Sequence, residues 1–89
     1  MALNRNSVAQ GATTTTDAVI GTSGAESVIW AISSSGVDAD IHDGTSDGGT
    51  KVFVVASDST ISFPQGLYCA DGIYANVTGT GILGVAFNQ

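Results

Sequence analysis

Val37-Asp38-Ala39-Asp40-Ile41-His42 alternates apolar and polar side chains without a break. In an extended chain successive side chains point to opposite faces, so Val37, Ala39 and Ile41 share an inward face while Asp38, Asp40 and His42 share an outward one. The same reading turns Ile73, Ala75 and Val77, then Leu83, Val85 and Phe87, toward an interior. No apolar stripe at helical spacing runs beyond about a turn before glycine or β-branched residues interrupt it. The chain is therefore read as all-β.

Working outward, further short apolar segments are separated by turn signals at roughly the 8–12 residue spacing of a sandwich or barrel. The expected strands are 18–20, 27–33, 37–42, 51–56, 60–63, 72–77 and 82–87. Between them lie Ser34-Ser35-Gly36, a longer loop from Asp43-Gly44 through Gly48-Gly49, Ser57-Asp58-Ser59, Pro64-Gln65-Gly66, Asp71-Gly72 and Gly79-Thr80-Gly81. Each carries residues that tolerate positive φ or preset a turn. Residues 1–16 are polar, with the run Thr13-Thr14-Thr15-Thr16 and few apolar side chains, and read as an extended N-terminal arm. Residues 17–89 read as one antiparallel β-sandwich domain.

Two segments break the alternation. Val28-Ile29-Trp30-Ala31-Ile32 and Val52-Phe53-Val54-Val55-Ala56 are apolar on both parities, as a strand is when something covers its second face. Trp30 shares parity with Val28 and Ile32 and is expected in the core, yet the second apolar face of its strand calls for a cover. An extended arm binds readily by adding a strand to a sheet edge. Leu3 and Val8 are the apolar anchors of the arm. Together with Ile29, Trp30, Val54 and Tyr74 they form the candidate interface, and a homo-oligomer is expected.

Composition bounds the function. The 89 residues are 43% hydrophobic and 11% charged, enough for one modest core. Arg5 and Lys51 stand against eight acids, a net charge of −6, which argues against nucleic acid as a partner. The apolar runs fall far short of the roughly 20 residues of a transmembrane helix, so no membrane partner is expected. The start of the chain turns polar at once and shows no secretory leader, so the protein is expected to fold and work where it is made. Cys69 is the single cysteine, so no intrachain disulfide forms, and it reads as a buried packing residue.

Candidate chemistry is sparse. Asp38, Asp40, His42, Asp43 and Asp47 form the one dense cluster of metal-capable side chains, but counting twelve positions from Asp38 ends on Gly49, where a calcium loop of the helix-loop-helix type needs glutamate. A solvated strand face is the reading adopted, and no metal or cofactor is expected. His42 is the only histidine and no nucleophile stands beside it in a recognisable motif, so no catalytic residue is assigned. Trp30, Tyr68 and Tyr74 offer an aromatic platform for a sugar ring, with Tyr74 the best exposed candidate. Asn76-Val77-Thr78 spells a glycosylation sequon but reads as strand.

One resemblance covers about two thirds of the chain. Ile41-His42-Asp43-Gly44-Thr45-Ser46-Asp47-Gly48-Gly49-Thr50, then Phe63-Pro64-Gln65-Gly66, Gly72-Ile73-Tyr74, and Gly79-Thr80-Gly81 through Phe87 follow one another in order. This succession resembles a small β-sandwich module of tailed-bacteriophage virion proteins. The resemblance implies a jelly-roll-like or immunoglobulin-like sandwich with no catalysis, used as a capsid decoration or cement protein on the capsid surface. Its partner would be the major capsid protein or another virion structural protein, its preferred oligomer a trimer, since such decoration proteins often sit at threefold positions, and its place of synthesis the host cytoplasm. A tail or neck accessory protein, and a small carbohydrate-binding module, are the alternatives.

Overall fold

The computed structural model describes residues 10–89. Leu3 and Val8 lie outside the described residues. The rest is all-β and antiparallel: β1 (Gln10–Thr14), β2 (Ala18–Ile20), β3 (Ser27–Asp43), β4 (Thr50–Val55), β5 (Thr60–Cys69) and β6 (Ile73–Asn88).

Two long strands organise the molecule. β3 and β6 pair antiparallel along nearly their whole length, from Val28↔Asn88 to Asp43↔Ile73. Each is flanked by a different short strand at each end. β5 pairs with the first part of β3 and β4 with its last part, while β2 pairs with the start of β6 and β1 with its end. The result is two four-stranded halves that share β3 and β6: a first half ordered β5-β3-β6-β1 and a second ordered β4-β3-β6-β2. Ile29, Ile32, Leu83, Val85 and Phe87 from the first half join Val37, Ala39, Ile41, Ile73 and Ala75 from the second in one buried cluster. An open flat sheet cannot bury one face so completely without a second layer. The single sheet is therefore folded over, and the halves are the two layers of a sandwich.

The fold line is where glycine was read as a turn. Ser34-Ser35-Gly36 and Gly79-Thr80-Gly81 do not end strands; they are the corners at which β3 and β6 bend together, with a register shift between Ser35 and Val37. Gly36 has φ +75°, and a Cβ there would run into the carbonyl oxygen of Thr80. Only glycine lets the two backbones approach this closely while the chain turns. Asp58, itself at φ 57°, accepts the Gly36 N–H at 2.9 Å, and Ser34 Oγ bridges the Ala56 carbonyl at 2.7 Å and the Ser59 N–H at 3.0 Å. The β4–β5 turn is thus pinned to the corner.

The expected Pro64-Gln65-Gly66 turn lies within β5 as an excursion. The register against β3 jumps from Ile29↔Leu67 to Ala31↔Ser62, leaving residues 63–66 opposite Trp30 alone. Pro64, which has no N–H, falls where the ladder is interrupted. Phe63 from this excursion meets Phe53 of β4 edge to face, with ring centroids 5.0 Å apart, and so joins the two layers along that side. The expected arm is also revised, because Gln10–Thr14 is a strand of the chain's own sheet, running from Gln10↔Phe87 to Thr14↔Leu83.

Candidate functional site: an uncharged outer face

The candidate interface residues do not gather on one surface. Ile29 is fully buried in the core and is removed from the interface. Trp30, expected in the core, is 40% exposed. The cause is a bulge: β3 pairs Ile29 with Phe87 and Ala31 with Ala86, so Trp30 is an extra residue and the parity reverses across it. Ile29 and Ile32 both face inward, and Trp30 and Ala31 both face outward. Val54 is 60% exposed on the outer side of the second half, opposite Asp40. Tyr74 is half-buried on that same side, with its ring centroid 6.3 Å from that of His42.

The outer face of the first half is distinctive. Its strand rows carry Val28, Trp30, Tyr68, Ile82 and Asn88 as the larger side chains, and mostly glycine, alanine, serine and threonine elsewhere. None is charged, and Trp30, Tyr68 and Ile82 are exposed. Gly11, Ala31, Ser33, Thr60, Gly84 and Ala86 line a shallow, open trough of about 400 Å³ whose walls are largely apolar. The trough exists because small residues from four neighbouring strands fall in register: Gly11 lies opposite Ala86, and Ser33 opposite both Gly84 and Thr60.

Trp30 is held rather than loose. Its indole N–H donates to Asn88 Oδ1 at 2.6 Å. Gly66, at φ +79°, lies under the ring, where a Cβ would stand 3.3 Å from its nearest ring atom and run into Val28. At the rim, the Tyr68 hydroxyl donates to Glu26, which raises the phenol above its ordinary pKa of 10.0, with burial and the charge of Glu26 adding to the effect.

The outer face of the second half is different in kind. It carries Asp38 and Asp40, the latter paired with Lys51 at 3.3 Å. His42 is not on the solvated face expected for it: it is only 6% exposed, and its Nδ1 lies 2.9 Å from the Gly49 carbonyl oxygen. The loop after β3 folds back over it, and Tyr74 stands opposite. Several remaining acids serve the backbone. Asp43 accepts the N–H groups of Ala70 and Asp71 at 3.2 and 2.7 Å, and Asp17 accepts that of Val77 at 2.6 Å. No group of three or more His, Cys, Asp or Glu side chains suited to a metal occurs among the described residues. Cys69 is fully buried, and burial, with a smaller contribution from the charge of Asp43, pushes its thiol from 9.0 up to about 11.

The bulge at Trp30 is what sequence reasoning missed. Its one signal is the double-parity apolar run at 28–32, which announces an apolar second face without saying which residue switches sides. No family model, curated protein or solved structure matches the chain.

Proposed function

We propose that this chain is a non-enzymatic structural subunit of a tailed-bacteriophage virion, of the capsid decoration or cement type. In this reading it sits on the capsid surface and attaches to the major capsid protein through the uncharged outer face of its first half, with further copies of itself as additional partners. The observation that carries the reading is the segregation of charge: on a chain of net charge −6, one sandwich face presents Trp30, Tyr68 and Ile82, its strand rows carry no charged side chain, and Glu26 at its rim is engaged by the Tyr68 hydroxyl. Such a face gains by burial about 25 cal/mol per Å² of apolar area before ordering costs are subtracted. The virion assignment rests on the motif succession from Ile41 to Phe87.

The test is attachment of purified chain to particles stripped of it, followed by a cryo-EM map. Ile82→Asp places an unpaired charge in the contact and should lower occupancy at least tenfold, the consequence of burying a charge without a partner. Val54→Asp, on the acidic face, should leave occupancy unchanged. Equal attachment by both variants would remove the face from the mechanism, and density on the tail or neck would favour the accessory-protein reading.

A second reading has one specific support. Trp30 and Tyr68 lie on the same face as several serine and threonine hydroxyls, the combination that stacks on and hydrogen-bonds to a neutral sugar. Glycan-array binding that disappears in Trp30→Ala would establish it.

A further inference from the structure

A β-sheet edge is a template for another strand, and proteins that remain apart defend their edges. Among the described residues the folded sheet has four. β2 is only three residues long. β5 is interrupted by the excursion at 63–66 that contains Pro64. β4 carries Lys51, ion-paired with Asp40, and a register break opposite Ile41 and His42. Among the described residues, β1 has none of these defences. Its five residues, Gln10-Gly11-Ala12-Thr13-Thr14, contain no charge and no proline and keep an unbroken register against β6. Alternate residues of such a strand bond to β6, and the others direct their N–H and C=O groups away from the sheet.

We propose that β1 is a self-association edge, pairing antiparallel with β1 of a second copy across a two-fold axis perpendicular to the sheet. The occupant follows from charge and from symmetry. Two copies of a chain of net charge −6 repel over most approaches, and β1 borders the face whose strand rows carry no charge, so the two strands meet without opposing acids. An antiparallel pair of identical strands is its own complement, the self-matching condition of a two-fold contact. Centred on Ala12, the pairing sets Gly11 of each copy against Thr13 of the other, two small residues with no steric obstacle. Because the axis stands perpendicular to the sheet, the two uncharged faces lie side by side on one surface, with the troughs beside Gly11 adjacent. The inference does not depend on which assembly the chain belongs to.

The experiment uses the full chain in sedimentation equilibrium from about 10 µM to about 1 mM, the range of weak, small contacts. The expected weight-average mass climbs from 8.9 kDa toward twice that value. Over the same range, amide exchange should slow at alternate residues of β1 and nowhere else in the sheet. Gly11→Lys/Thr13→Lys sets like charges against each other across the axis and should weaken association at least tenfold. Both sites accept lysine, since a Cβ at Gly11 has no atom within 4 Å and Thr13 is exposed, and an unchanged melting temperature verifies folding. Ile82→Lys, on the outer face but away from the edge, should still dimerise. A chain that stays monomeric at 1 mM, one that forms trimers, or one whose association survives the β1 lysines but is lost in Ile82→Lys, would each overturn the proposal.

Discussion

The two outer faces of the sandwich are built on the same two strands, β3 and β6, yet they have opposite surface chemistry. Before the corner at Gly36, β3 presents Val28, Trp30 and Ala31; after it, Asp38 and Asp40. On β6 the order is reversed along the chain: Tyr74 and Asn76 stand on the acidic side, and Ile82, Gly84 and Ala86 on the uncharged side. A corner in mid-strand lets one continuous hydrogen-bonded ladder carry two unrelated surfaces, one without charge in its strand rows and one with Asp38 and Asp40.

The comparison collapses if the corner fails, which is the largest effect expected. Gly36→Ala brings a Cβ against the Thr80 carbonyl and holds alanine at a positive φ, so destabilisation above about 3 kcal/mol is expected. Both faces should be lost in one transition by urea denaturation. Loss of Trp30 fluorescence ahead of far-ultraviolet ellipticity would show that the layers are separable after all.

The interior behind the uncharged face is probed by pH. The Cys69 thiol ionises near 9.0 when the chain is unfolded and near 11 when folded. Its stabilising contribution is therefore complete below pH 9 and is lost as the pH rises to about 11, amounting to about 2–3 kcal/mol. Cys69→Ala should flatten this part of the stability curve, whatever its cost at neutral pH. A variant with the same slope as the parent between pH 9 and 11 would place the titration elsewhere.

The smallest effects sharpen the acidic face. His42→Ala removes a buried ring hydrogen-bonded to Gly49 and should cost about 1–2 kcal/mol by thermal denaturation. Asp38→Ala, on the neighbouring exposed position, should stay within about 0.5 kcal/mol. Equal costs would mean that the two residues share one solvated surface. Chelator should leave both melting temperatures unchanged.

How much of this was legible in the sequence depended on whether the period of two survived. It survives at 37–41 and 83–87, and every inward assignment there is a core residue. At 73–77 it holds for Ile73 and Ala75, with Val77 partly buried against the core. It fails at Trp30, because a bulge adds one residue and reverses the parity without any glycine or proline to announce it. Glycine misleads in the other direction. Gly36, Gly79 and Gly81 read as turns, since a bend of a paired strand and a reversal of chain direction call for the same backbone freedom. β1 was illegible for a different reason: Ala12 is its only apolar residue, and it becomes a strand because β6 supplies a ladder at 83–87, not because its own pattern asks for one. The burial of His42 depends on a loop folding back from Gly49, a tertiary event that alternation along one strand does not encode.

The shared long strands also govern how the molecule forms and fails. The first layer is incomplete until residues near 28 have found residues near 88, a closure across some sixty positions, whereas the second shares the nearer pairing of Asp43 with Ile73. Chains dominated by such distant pairings fold in milliseconds to seconds rather than microseconds, because loop entropy is lost before contacts repay it. Once formed, the ladder leaves no layer that can open alone, since each borrows half of both central strands from the other. Slow folding in one cooperative transition is accordingly the expected behaviour.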